Sequence, residues 1–242
     1  MPRYKIELQY HGKNYHGWQK QPNVHSVQAE IEGQLNKVVQ TEVEIVGCGR
    51  TDTGVHASHY VAHFDSEKPF DCHKTSVSLN RLLPDDISVF KIEMAEPDFH
   101  ARFFAKSRQY QYFIDYEKSA FRGEIAWCKK VNLNFEVLAQ ACEILKNHKH
   151  FTAFCKGKVP KNNDVCIIYE ANWENTTTGA VFTVKANRFL RNMVRAMVGT
   201  LIDVGTEKIS LQEFQSILNS GTRSDAGKSV PAHGLFLSKI EY

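Results

Sequence analysis

Gly49-Arg50-Thr51-Asp52-Thr53-Gly54-Val55-His56-Ala57 separates two apolar stretches, Val43 to Val46 and Tyr60 to Phe64. The first is a short apolar run that reads as a buried strand. In the second, Tyr60, Ala62 and Phe64 alternate with His59, His63 and Asp65, the period of a strand. Glycine tolerates torsions that other residues resist, so the nine residues read as a tight loop leaving a sheet. Loops on a rigid sheet are common places for chemistry. Arg50 stands two residues before Asp52, and a nearby cation keeps a carboxylate ionised. An ionised Asp suits a nucleophile or an electrostatic group better than a general acid. A surface turn carrying an Arg–Asp pair has the same spacing.

Working outward, Tyr4, Ile6, Leu8 and Tyr10 alternate with polar residues and predict a strand. A polar loop with Gly12, Gly17, Trp18 and Pro22 follows. Ser26 caps a predicted helix whose Val27, Ile31, Leu35 and Val38 share a face. After the loop and its second strand come a helix from Asp71 to Leu83, stopped by Pro84, and a strand from Ile87 to Met94. The order is β-α-β-β-α-β, the split unit of ferredoxin-like and RRM-like folds.

The second half repeats that order. Arg108 to Tyr116 reads as a strand with Tyr110, Tyr112 and Ile114 on one face, and Asn134 caps a helix through Leu138, Ala141, Cys142 and Leu145. Cys166 to Trp173 and Ala180 to Ala186 read as a hairpin. A helix is expected from Asn187 to Asp203, and another from Ser210, where Glu213 completes a capping box. Leu235 to Ile240 is the last strand. The expected class is α+β: two ferredoxin-like or RRM-like β-α-β-β-α-β halves fused into one mixed, largely antiparallel sheet, with helices on one face. The boundary falls between Glu96 and Arg108, dividing the chain into 1–104 and 105–242. Cys155 to Asp164 is the longest loop-like, Lys-rich segment and is expected to be mobile.

Two basic patches stand out. On the helix expected after Asn187, Arg188, Arg191 and Arg195 would share one face, and no carboxylate occurs between Asn187 and Leu201. Such a face suits an anion, an RNA phosphate or an active-site carboxylate, as well as plain solvent. Between Ala101 and Tyr112, the cations Arg102, Lys106 and Arg108 interleave with Phe103, Phe104, Tyr110 and Tyr112. That mixture suits RNA, although an alternating strand would place most of these rings in the core.

Composition narrows the classes. Of 242 residues, 42% are hydrophobic and 24% charged, ordinary for a soluble globular protein. No apolar run is long enough to cross a bilayer, and Met1 to Tyr4 run straight into a strand, so neither a membrane partner nor a signal peptide is expected. Six scattered cysteines without C-x-x-C spacing favour reduced thiols in a cytoplasmic protein. The net charge of +3 announces no nucleic acid by itself. His56, His59 and His63 lack ligand spacing, so no metal is expected, and without a P-loop or G-x-G-x-x-G no nucleotide cofactor is expected.

Five elements then converge. The Asp52 loop resembles the signature of the tRNA pseudouridine synthase A family. Tyr15-His16-Gly17-Trp18-Gln19 resembles its Y-x-G-W-Q, and Phe99-His100-Ala101-Arg102-Phe103 its F-H-A-R-F. Met193-Val194-Arg195 with Val198-Gly199 resembles M-V-R-x-x-V-G, and Gly234-Leu235-Phe236-Leu237 resembles G-L-x-L. The elements keep the family's order across nearly the whole chain. The resemblance implies the pseudouridine synthase fold and a cofactor-free isomerisation of uridine to pseudouridine in the anticodon stem and loop of tRNA, at positions 38, 39 and 40. It makes Asp52 the nucleophile and Arg50 the group that fills the space of a flipped nucleotide. It places Arg195 beside Asp52, Tyr110 stacked on the target uracil and assisting proton transfer, and Leu235 near the base; the two basic patches leave Arg188, Arg191, Arg102 and Arg108 for substrate binding. It also implies a homodimer with one tRNA spanning both subunits.

Departures are few. Thr53 stands where alanine is common, and Gln109 precedes Tyr110 where arginine is common. Two other classes fit parts of the pattern: a non-catalytic RRM-like RNA-binding module, for which the aromatic RNP1 pattern is missing, and a metal-dependent hydrolase built on Asp52 and the histidines.

Overall fold

Ser26 starts the first helix as its sequence suggests, with its side chain accepting the Ala29 N–H. Similar local chemistry recurs along the chain: Asp71 and Asn134 cap later helices, and Ser210 and Glu213 form a reciprocal capping box. The computed structural model describes residues 1–159 and 164–242. In order, the elements are β1 (Arg3–Tyr10), α1 (Val27–Val39), β2 (Val46–Gly47), β3 (His56–Asp65), α2 (Cys72–Leu82), β4 (Ile87–Ala95), β5 (Ser107–Asp115), β6 (Trp127–Cys128), α3 (Phe135–Asn147), β7 (Ile168–Asn175), β8 (Gly179–Ala186), α4 (Met193–Gly205), α5 (Leu211–Ser220) and β9 (Leu235–Glu241). The class is α+β, as expected.

The chain forms two compact units. The first holds Met1–Lys106 and Phe236–Tyr242. Here β1 pairs antiparallel with both β3 and β4. The other edge of β3 is shared: its start pairs parallel with β9 (His56↔Phe236) and its end pairs antiparallel with β2 (Val46↔His63). The expected strand at Val43 to Val46 therefore shrinks to Val46–Gly47. Its earlier backbone is bound by α1 side chains instead of a ladder: Val43 N–H donates to Asn36 Oδ1 at 2.9 Å, and Ile45 N–H to Glu32 Oε1 at 2.9 Å. The core combines Tyr4, Ile6 and Leu8 of β1 with Ile31 and Leu35 of α1 and Tyr60 and Phe64 of β3, all buried.

The second unit, Ser107–Leu235, carries the order β5-β8-β7, with β8 antiparallel to both neighbours. The two-residue β6 runs parallel to β5 (Ile114↔Trp127) and had no periodicity to announce it. The helix expected from Asn187 begins only at Met193. Asn192 adopts φ 63°, a left-handed torsion that breaks any helix leading into it. From Met193 onward, every residue of α4 except Arg195 and Asp203 is buried, the pattern of a core helix. The arginine face therefore does not form: Arg188 and Arg191 lie in the Asn187–Asn192 loop, and Arg195 alone lies on α4. Of the Cys155 to Asp164 segment, residues 160–163 lie outside the described residues, and its expected mobility with them.

Candidate active site

Asp52 sits in a turn closed by Val55 N–H donating to Asp52 O at 3.1 Å. Gly54 takes φ 77° at the third position, a torsion that favours glycine in such a turn. The half-buried Asp52 is held through its neighbours. Thr51 is turned inward and buried, and its hydroxyl pairs with the Tyr10 phenol at 2.8 Å. The Tyr60 phenol donates to Gly49 O, and Cys48 N–H to Val61 O at 2.9 Å. His56, the first residue of β3, is buried, and its Nδ1 accepts the Gly12 N–H at 3.0 Å.

The Tyr15–Gln19 element lies against this turn. Trp18 N–H donates to Thr51 O and Gly54 N–H to Tyr15 O, both at 3.4 Å. Gly17 has φ 87°, and a Cβ on it would stand 2.3 Å from Thr51 O. Trp18 stacks on Tyr60 with centroids 3.9 Å apart, and a Cβ on Gly47 would strike the Trp18 ring and the Tyr60 hydroxyl. Two of the five motifs thus form one braced backbone, which ordering residues at a functional loop requires.

The expected Arg50–Asp52 pair is absent: Arg50 is exposed and forms no ion pair among the described residues. Thr51 takes the inward position between them, which leaves Arg50 at the surface. Arg102 is also exposed, its guanidinium 5.6 Å over the Phe103 ring. Phe103 and Phe104 are exposed at 72% and 46%, so they are not core residues. They lie in a turn in which the His100 Nδ1 accepts the Arg102 and Phe103 N–H groups.

The histidines of β3 have structural partners. His63 Nδ1 accepts the Ala101 N–H at 3.2 Å and His59 Nδ1 the Ile240 N–H at 3.2 Å. Burial above all, with the Arg3 charge, lowers the His63 pKa to about 4, so the ring is neutral at pH 7. Among the described residues, no group of three His, Cys, Asp or Glu side chains could hold a metal ion.

In the second unit, Arg195 is gripped twice by one residue. Its Nε donates to Val230 O at 2.8 Å, and Val230 N–H donates to Arg195 O at 3.2 Å. The segment carrying Val230 crosses α4 where glycine permits contact: a Cβ on Gly199 would stand 1.9 Å from Lys228 O, and Gly227 N–H donates to Thr200 Oγ1 at 2.9 Å. This accounts physically for Val198-Gly199 following Arg195. Tyr110 is half-buried on β5 and meets Phe189 edge-on at 5.1 Å. Arg108 donates to Asn187 O at 2.9 Å, tying β5 to the loop that carries the half-buried Arg188 and the exposed Arg191. Leu235 is buried at the start of β9.

A family model described as tRNA pseudouridine synthase matches residues 8–103 and 141–242. The chain belongs to the tRNA pseudouridine synthase family. Among curated members it is similar to tRNA pseudouridine synthase A of Parabacteroides distasonis, 45% identical over 243 residues that span 100% of this chain and 96% of the relative. It is 46% identical to that of Azobacteroides pseudotrichonymphae over 100% of this chain and 97% of the relative. It is 38% identical to that of Bacillus subtilis over 99% of each. The matched stretches of the tRNA pseudouridine synthase model contain Arg50, Asp52, Arg102, Arg188, Arg191, Arg195 and Leu235, whereas Arg108 and Tyr110 fall between them.

Reading by pattern missed the braces. Tyr10, Tyr60 and Tyr112 look like ordinary strand aromatics, Trp18 stands out only as part of its motif, and their hydroxyl and backbone bonds join positions far apart in sequence. Gly199, a glycine inside a helical pattern, and Gly17 of the Y-x-G-W-Q element carried a local signal.

Proposed function

We propose that this protein is a tRNA pseudouridine synthase that isomerises uridine in the anticodon stem and loop, at positions 38, 39 and 40, with Asp52 as the reacting carboxylate. The observation that carries this reading is the bracing of the Asp52 turn by the Tyr15–Trp18 backbone, in a chain that belongs to the family. The reaction breaks the N-glycosidic bond, turns the uracil and rejoins it to the ribose through carbon 5, which loses its hydrogen as a proton. Nothing is oxidised or consumed. Asp52 attacks the ribose or the uracil, or acts as a base on the sugar; each role uses an ionised carboxylate held in place.

The target base is stacked in RNA, so it is flipped out at a cost of a few kcal/mol. The exposed Arg50 suits a side chain that fills the vacated space. Tyr110 stacks on the flipped uracil, Leu235 packs near it and Arg195 contacts the nucleotide. Arg102, Arg108, Arg188 and Arg191 serve tRNA phosphates. The enzyme works in the cytoplasm as a homodimer, one tRNA spanning both subunits, without a cofactor. Among the described residues no helix is long and apolar enough to cross a membrane.

The test is tritium release from tRNA labelled at uracil carbon 5, with and without chelator. Release unaffected by chelator is expected. tRNA binding without release favours an RNA-binding module, and release abolished by chelator favours metal-dependent chemistry.

A further inference from the structure

Tyr112 lies two residues beyond Tyr110 on the same face of β5 and is fully buried opposite Phe182 of β8. A buried aromatic on a central strand needs no function. Its hydroxyl, however, reaches out of the core to donate to Pro231 O at 3.0 Å. Pro231 follows Val230, the residue that binds Arg195 through both its carbonyl and its N–H. The ring serves a second segment: a Cβ on Gly234 would stand 2.7 Å from Tyr112 Cζ and 2.9 Å from Phe113 O, so the chain entering Leu235 rests on this strand. Tyr112 thus touches the segments that lead into Leu235 and that carry the Val230 partner of Arg195, on the strand that carries Tyr110.

The geometry points to Tyr112 as a positioning residue that sets the Arg195 guanidinium through the Pro231 and Val230 carbonyls. This rests on the reading of Arg195 as a nucleotide-contacting group. The phenol is suited to the task because burial pushes its pKa up, only partly offset by the Arg195 charge, so it remains a donor across the working pH range. The ring of Pro231 locks its φ, which limits how the segment can rearrange around the held carbonyl. Removing the hydroxyl leaves that carbonyl unheld and frees the Val230 segment to shift, and small misplacements at a reacting centre are costly.

The test is a double-mutant cycle of Tyr112→Phe and Arg195→Lys, read as tritium release from tRNA transcript labelled at uracil carbon 5. Tyr112→Phe keeps the ring, and its folding is checked by circular dichroism and a melting curve. In the wild-type background, kcat per folded protein is expected to fall about tenfold, with KM for tRNA changed less than about twofold. In the Arg195→Lys background, the same change should lower kcat by less than about twofold, because the two residues act through one contact. An unchanged kcat, or the same fold-loss in both backgrounds, overturns the inference and leaves Tyr112 a structural residue. A wild type that binds tRNA but releases no tritium overturns the functional reading, and this inference with it.

Discussion

Gly17 passes the Asp52 turn so closely that a Cβ on it would stand 2.3 Å from the Thr51 carbonyl oxygen. That carbonyl also accepts the Trp18 N–H, and the Thr51 hydroxyl is paired with Tyr10. Thr51 is thus fixed on both its backbone and its side chain, and Asp52 follows directly from it. The backbone that carries Asp52 is braced by a segment more than thirty residues earlier in the chain.

Gly17→Ala is expected to lower kcat by about 100-fold, because the new methyl must displace Thr51 O and alanine itself resists the φ of 87° at this position. Circular dichroism should remain native, since Gly17 lies outside the helices and strands. Wild-type kcat in this variant would show that the contact does not position Asp52.

Glu32 is 4% exposed and accepts from Ile45 N–H, Gln28 Nε2 and Lys20 Nζ, joining α1 to the segments on either side of it. Glu32→Ala orphans the buried Ile45 N–H and should cost about 2–4 kcal/mol in urea unfolding. Lys20→Ala should cost less than about 1 kcal/mol, because that ammonium is 64% exposed. Equal losses would mean that the ion pair, not the backbone bond, carries the stability.

Gly199→Ala places a methyl 1.9 Å from Lys228 O, on the segment that continues to Val230. The expected outcome is a loss of about 1–3 kcal/mol of stability, with a fall in kcat larger than the fall in folded fraction. Activity measured per folded protein separates the two effects.

His63 gives a pH dependence of known sign. Its folded pKa, about 4, lies below the ordinary value of 6.5, so the unfolded state binds the proton more readily. The stabilisation is full above pH 6.5 and is lost as pH falls from 6.5 towards 4, by roughly 1–3 kcal/mol. Urea midpoints at pH 7 and pH 5 should differ more for wild type than for His63→Gln, and an equal difference would remove His63 as the cause.

Elements with strong local signals were legible in the sequence. Ser26, Asp71, Asn134 and Ser210 all cap the helices they precede, since a cap depends on residues within one turn. Features decided at long range were not. The strand at Val43 gave way to bonds with Asn36 and Glu32, and the helical spacing read from Asn187 concealed a left-handed torsion at Asn192. That torsion dissolved the three-arginine face, which existed only if the helix began early. At the site, Arg50 and Asp52 are neighbours in sequence, but the inward turn of Thr51 separates their fates. The motif residues were identifiable, whereas the phenols, the tryptophan and the glycine contacts that hold them needed the fold.

In the proposed function, Asp52 carries the chemistry rather than the fold. The most direct test is single-turnover tritium release from tRNA labelled at uracil carbon 5, comparing wild type with Asp52→Asn at saturating enzyme. Release by wild type is expected, with a loss of at least about 1,000-fold in Asp52→Asn and nearly unchanged tRNA affinity and melting temperature. Release by Asp52→Asn at the wild-type rate would contradict this role of Asp52.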